Sequence, residues 1–313
     1  MIWITRRTLL SVLLLSILAA CGNTTETAST ATPAARGGNA PAGSDVSIQA
    51  ILAASTIVVG ANRLPIGIVV DGTPINDPNA LVSMRFYYLD GPEPTTVVGE
   101  TGTTYFGRNL PFGVYVAYPN MPKAGAWGLE VAMTVPGKPT AVSRLRLDVL
   151  ANDPTPALES PAIVVDTPTA QTLAELEQIT SDSQPNLALY QLSVREALKQ
   201  RKPLAILFGT PGFCKTAVCG PSIQVMGNLQ RTYGDRMNFV HVEVYQYPFA
   251  ESVQANPPRF SAGMTAWGLQ SEPWVFLIDA TGLIRYKYEG GITDDELTLV
   301  LDELLKQPGG QDK

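Results

Sequence analysis

Apolar residues change their rhythm once along this chain, and that change bounds the architecture. Over about residues 46–150 they fall in short β-rich runs (56–59, 66–70, 82–88, 114–118, 129–133 and 144–149) with no helical period between them. Turn pairs such as Asp71-Gly72, Asp90-Gly91 and Pro136-Gly137 separate several of these runs. In the last run, Arg-Leu-Arg-Leu-Asp-Val alternates as on a sheet with one wet face. Short strands without intervening helices predict a β-sandwich. From about residue 187 strand-like and helical segments alternate instead. Residues 187–190 read as a strand, and Ser193 with Glu196 forms a capping-box pattern opening a helix to about Gln200. Leu204-Ala205-Ile206-Leu207-Phe208 suits a strand buried on both faces. A helix over 223–233, a strand over 238–245, and a short helix over 261–267 stopped by Gly268 follow. Residues 274–278 and 283–288 flank the turn Asp279-Ala280-Thr281-Gly282. Thr293 and Glu296 form a second capping box before a helix whose Leu297, Val300, Leu301, Leu304 and Leu305 share one face.

The chain has 313 residues, enough for about two domains at ~150 residues each. With 45% hydrophobic residues it can bury cores, which excludes disorder along its whole length. A net charge of −6 leaves no basic excess to neutralise phosphates, so nucleic acid is not an expected partner. One histidine and three cysteines exclude most His-rich or Cys-rich metal centres, and no cofactor is expected. The resulting layout is multidomain: an all-β sandwich over 46–150, a linker rich in Pro, Thr, Ser and Asp over 151–186 with a short helix near 173–179, and an α/β domain over 187–313.

The first twenty residues read as a targeting segment. Arg6 and Arg7 precede an apolar run too short to span a bilayer comfortably, and the run ends in Leu18-Ala19-Ala20-Cys21. This resembles the lipobox of bacterial lipoprotein signal peptides, and Thr5-Arg6-Arg7 weakly resembles a twin-arginine signal. The resemblance implies cleavage before Cys21, a lipid on that cysteine, and anchorage on the extracytoplasmic side of a cell membrane. Loss of Arg6 and Arg7 would leave 20 basic against 28 acidic residues, a charge of −8. Residues 21–45, poor in large apolar side chains, read as a flexible tether. Cys214 and Cys219 would then be the remaining thiols, in a compartment that permits their disulfide.

Ala124-Gly125-Ala126-Trp127-Gly128-Leu129-Glu130 resembles the turn-then-strand segment of immunoglobulin-like modules, with Trp127 as a core anchor. No catalytic constellation accompanies it. Over about 187–306 the order of strands and helices, with a cysteine pair just past the second strand, resembles the thioredoxin fold. Cys214 follows a buried strand, Pro221 lies near the start of the next helix, and Ser271-Glu272-Pro273-Trp274 stands where thioredoxin-like proteins carry a cis proline facing the cysteines. The resemblance implies thiol–disulfide exchange with extracytoplasmic protein thiols or disulfides. Cys214 would attack, Cys219 would resolve, and Pro273 would shape the substrate groove.

This chain departs from thioredoxin at two points. Four residues, Lys215-Thr216-Ala217-Val218, separate the cysteines where thioredoxin has two, and Phe208 stands near the place of its buried acid. Residues five apart on one continuous helix point about 140° away from each other. A disulfide could not form there without unwinding that turn. Gly220 as cap and Pro221 as first helical residue would put both in the preceding loop.

Thr210-Pro211-Gly212-Phe213-Cys214 with Ala217-Val218-Cys219-Gly220 also resembles the bacterioferritin comigratory peroxiredoxins. Pro211, however, holds the position of their helping threonine, and Thr210 lies one residue too early. Copper-delivery thioredoxin-like proteins pair two cysteines with a distant histidine. His241 is the sole histidine, yet the cysteine spacing differs from theirs, and a packed strand histidine is the favoured reading. A binding lipoprotein with an inert disulfide is the remaining alternative.

Overall fold

The structure is a computed structural model that describes residues 47–108, 110–134, 139–214 and 218–306. The leader, Cys21, the tether and the three residues 215–217 lie outside these. The chain is mostly β, with several sheets and a few helices.

The first half builds two sheets around one core. Strands β1 (Ile48–Leu52), β2 (Leu64–Val70), β3 (Leu81–Tyr88), β4 (Val97–Gly102), β5 (Thr104–Phe106), β6 (Val114–Ala117), β7 (Gly125–Thr134) and β8 (Ala141–Leu150) are its main elements. One sheet runs β1-β2-β6-β5; the other runs β8-β7-β3-β4, with the short strand Ile57–Val58 parallel to the end of β8. Period-2 alternation decides which side chains turn inward. In β8, Ala141, Ser143, Leu147 and Val149 are buried while Arg144, Arg146 and Asp148 face water. Ile48, Leu64, Ile66 and Tyr115 from one sheet meet Met84, Trp127, Leu129 and Val131 from the other in a shared core. Trp127 is fully buried, donates from Nε1 to the Lys123 carbonyl at 3.1 Å and packs on Tyr88, so it acts as a core anchor.

The second half is a four-stranded sheet between helices. Its strands are β9 (Leu204–Gly209), β10 (Asn238–Glu243), β11 (Trp274–Ile278) and β12 (Ile284–Glu289), in the order β10-β9-β11-β12. β9 and β10 are parallel; the other pairs are antiparallel. Helices α1 (Val194–Lys199), α2 (Cys219–Tyr233), α3 (Phe249–Gln254), α4 (Ala262–Ala266) and α5 (Asp294–Leu304) accompany it. Every residue of β9 is buried because both faces are covered. Ala205 and Leu207 pack in the core containing α2 and α5, whereas Leu204, Ile206 and Phe208 pack in the core containing α1, Met264 and Trp267.

Two local expectations are corrected. Residues 187–190 do not form a strand: Leu187–Leu189 is a 3-10 turn, in which the Asn186 side chain accepts from Ala188 N at 3.2 Å. A short apolar run satisfies either period, and here a side-chain cap captured the backbone before a sheet partner could. The Thr293 capping box forms only in part. Thr293 Oγ1 accepts from Glu296 N, but the Glu296 carboxylate is drawn away to Arg63. At Ser193 both halves of the box are present.

Polar contacts join the two halves. Arg63, just before β2, makes a two-pronged bond to Glu296 at 2.7 and 2.6 Å and donates to the carbonyls of Glu289 and Gly291. Tyr118 donates to the same Glu296 carboxylate at 2.8 Å. Ser55 and Thr56 donate to the Glu289 carboxylate, which also accepts from Ser271 Oγ. Gly290 permits this approach: its φ is +82°, and a Cβ there would overlap the Ala53 carbonyl. The stretch before residue 163 runs along the outer edge of β12, where Ile284 N bonds the Ser160 carbonyl and Ala162 N bonds that of Gly282. That segment covers a strand edge that would otherwise present unpaired amides and carbonyls.

Candidate active site

β9 carries the chain out of the sheet centre to Thr210, which is fully buried. The segment after it holds Cys214 outside any helix, and α2 begins at Cys219 with Val218 as its cap. The start therefore lies earlier than the Gly220 cap expected from sequence. Ser222 accounts for the shift: its amide and its hydroxyl both donate to the Val218 carbonyl, at 2.9 and 2.8 Å. Pro221 is then the third helical residue, where a missing N–H is harmless because first-turn amides have no helical acceptor. With only Cys219 in the helix, the Cα atoms of the pair stand 6.0 Å apart and a disulfide joins Cys214 to Cys219.

The two cysteines differ in burial. Cys214 is half-buried, whereas Cys219 is 1% exposed. Cys214 is therefore the more exposed end of the bridge. The Cys219 amide, at the N-terminal end of α2, points at Cys214 Sγ from 3.3 Å. A helix-start amide in that position stabilises a thiolate once the bridge opens.

The opposite wall is the loop into β11. The Glu272–Pro273 peptide is cis, and Pro273 is buried with its carbonyl accepting from Gly290 N at 2.9 Å. The Glu272 carboxylate lies 3.7 Å from Cys219 Sγ, and the same oxygen accepts from Thr210 N at 2.7 Å. On its other side, Ser271 Oγ donates to Glu289 and accepts from Trp274 Nε1. Pro273 is the residue of this loop expected from sequence; Glu272 is not. The available signal was a carboxylate directly before a proline expected to face two cysteines.

Phe208 belongs to the apolar core beside Trp267 and Phe276. Thr210 turns its side chain to Ser181 and Glu243. Ser181, from the stretch read as linker, donates by both amide and hydroxyl to Glu243 at 2.8 Å and accepts from Gly212 N. His241 is deeply buried, with Nδ1 2.9 Å from the Tyr190 hydroxyl and Nε2 3.0 Å from the Gly209 carbonyl. Both ring nitrogens are thus engaged. Among the described residues no group of three or more His, Cys, Asp or Glu side chains is arranged to hold a metal ion.

Burial holds the His241 imidazole down at about 4 against an ordinary value of 6.5, while its bond to Gly209 acts in the other direction. Above pH 6.5 the ring is neutral in both folded and unfolded chains. Below that value the unfolded chain binds a proton that the folded protein refuses until about pH 4, so stability falls on acidification, by about 3 kcal/mol. Glu243 works in the opposite sense. Burial pushes its carboxyl up, so its contribution is lost as pH rises through the folded value. Urea unfolding across this range should show His241→Gln losing much of the acid sensitivity of the wild type; an unchanged slope would refute the assignment.

No protein-family model matches the chain, and no curated protein matches it. Solved structures similar to parts of it include a thiol:disulfide interchange protein of the thioredoxin family from Chlorobium tepidum TLS, at 18% identity and TM-score 0.28, covering 47% of this chain and 99% of that one. A DUF4426 family protein from Pseudomonas aeruginosa PAO1 is similar at 10% identity and TM-score 0.26, covering 37% of this chain and 100% of that one. The PmoD soluble domain from Methylocystis sp. ATCC 49242 (Rockwell) is similar at 10% identity and TM-score 0.20, covering 35% of this chain and 95% of that one. At scores this low none of these likenesses establishes a shared fold.

Proposed function

We propose that this chain is a thiol–disulfide oxidoreductase acting on extracytoplasmic protein thiols or disulfides through Cys214 and Cys219. In this reading the second half is a thioredoxin-like domain, the first half an immunoglobulin-like sandwich, and the whole is anchored to a membrane by lipid on Cys21. The observation that carries the activity is the asymmetry of the disulfide. Its accessible sulfur, Cys214, receives a helix-start amide, and its inaccessible sulfur, Cys219, sits beside a carboxylate on the loop of a cis proline.

In the reductive direction the Cys214 thiolate attacks one sulfur of a substrate disulfide, and the other sulfur leaves as a thiolate that takes up a proton. Cys219 then loses its proton and attacks Cys214 Sγ, releasing the second substrate thiolate and restoring the Cys214–Cys219 bond. Two electrons pass from the protein to the substrate, and the oxidative direction reverses each step. Pro273 borders the site as the groove residue.

Two observations weigh against the competing readings. Pro211 offers no hydroxyl to orient a peroxide, and the buried Thr210 spends its own on Ser181 and Glu243. The ring nitrogens of His241 face Tyr190 and Gly209, not an open coordination position. The reduction potential of the pair tests the proposal. A value above about −300 mV is expected of an exchanging pair, and one below it would mark an inert structural bridge. Intact mass of the mature chain from a bacterial host tests the anchor, which an unmodified Ala20–Cys21 junction would refute.

A further inference from the structure

The exchange cycle leaves one step without an agent. Cys219 must surrender a proton before it can attack Cys214, yet it is 1% exposed, so little water is at hand to take that proton. A thiol shut away from water ionises reluctantly because its anion loses hydration. The strand feeding the cysteines supplies no base, since Phe208 is packed among Trp267 and Phe276. We propose that Glu272 is the acid–base residue of the site, accepting the Cys219 proton during reduction of a substrate and returning it when the protein is oxidant. The inference rests on the exchange reading above.

Three features of the loop suit Glu272 to this task. Its Oε2 is 3.7 Å from Cys219 Sγ, within the range of a thiol-to-carboxylate hydrogen bond. The Thr210 amide, at 2.7 Å from the same oxygen, fixes the carboxylate where the sulfur needs it. Its backbone is restrained by the proline that follows and, one residue earlier, by Ser271 between Glu289 and Trp274. The carboxylate is half-buried, so a proton received from Cys219 has a route onward to solvent. Charge balances throughout: Cys219–SH and Glu272–COO⁻ become Cys219–S⁻ and Glu272–COOH. The thiolate then spends its electron pair on the bond to Cys214 Sγ, and the departing substrate thiolate or water takes the proton.

The step can be isolated. Reduced protein treated with 5,5′-dithiobis(2-nitrobenzoic acid) forms a Cys214–thionitrobenzoate mixed disulfide, and Cys219 then closes the ring with release of a second coloured anion. In Glu272→Gln the first release should keep its wild-type rate, while ring closure at neutral pH slows about tenfold or more. Closure should recover towards the wild-type rate at high pH, where hydroxide removes the proton. That convergence would not follow from a merely distorted loop, which would slow closure at every pH. Wild-type closure rates and an unaltered pH profile in Glu272→Gln would overturn the inference while leaving the exchange reading intact. A wild-type mixed disulfide that never closes would overturn both.

Discussion

Cys219→Ser is expected to accumulate as a mixed disulfide through Cys214 when given a disulfide-bonded protein substrate, whereas Cys214→Ser is expected to fall to the background rate of exchange. The reason is positional. Cys214 is half-buried and outside the helix, with the Cys219 amide at 3.3 Å to stabilise its anion. Replacing Cys219 by serine keeps that amide and the helix start, so attack survives; it removes the sulfur that would expel the substrate, so the intermediate persists. Replacing Cys214 leaves Cys219 alone of the pair, and that residue is 1% exposed. Non-reducing electrophoresis after acid quenching reads both outcomes. Equal reactivity of the two single variants would contradict the asymmetry on which the functional proposal stands.

Arg63→Met is expected to be the most destabilising single substitution between the halves of the molecule, costing about 3–5 kcal/mol. The guanidinium and the Glu296 carboxylate are 8% and 4% exposed, and they meet through two parallel bonds. Removing the cation strands a buried carboxylate with Tyr118 as a remaining donor, and also releases the carbonyls of Glu289 and Gly291. Glu296→Gln should cost less, because an amide oxygen can still accept from Arg63. The double variant Arg63→Met with Glu296→Leu should recover part of the loss, since no charge is then left unpaired. Chemical denaturation with the disulfide intact measures all four chains. A cost below about 1 kcal/mol for Arg63→Met would place the pair among solvent-screened surface bridges.

The same contacts tie the first half to the loop beside the cysteine pair. Arg63 holds the carbonyls on either side of Gly290, whose amide bonds the Pro273 carbonyl. Ser55 and Thr56 hold Glu289, which holds Ser271 beside Glu272. Nothing in the sequence signals this connection. Arg63 and Glu296 lie 233 residues apart, and the apparent capping role of Glu296 is a complete local explanation for an acid at that position.

Features whose physics is local were legible in the chain. Alternation in residues 144–149 decided which side of β8 is wet, because successive side chains of a strand point to opposite faces. Ser193 and Glu196 opened α1 because both partners of the box lie within one helical turn. Trp127 was legible as a core anchor, since so large an apolar surface between two sheets has no stable place in water. The cysteines required a break in the helix because no continuous turn brings residues five apart together. Other features waited on tertiary structure. The start of α2 depended on Ser222 claiming the Val218 carbonyl twice, and Leu187–Leu189 turned instead of extending because Asn186 competed for its backbone. His241 acquired its low affinity for protons only once Tyr190, Gly209 and the surrounding core had excluded water. Glu272 became a partner for Cys219 only when the loop into β11 was laid against the first turn of α2. Sequence by itself determined many of the strands and helices and the identity of the two sulfurs, because propensity and spacing act within a few residues. The tertiary structure decided which sulfur is reachable and which carboxylate stands beside the other, because burial and charge pairing depend on groups far apart in the chain.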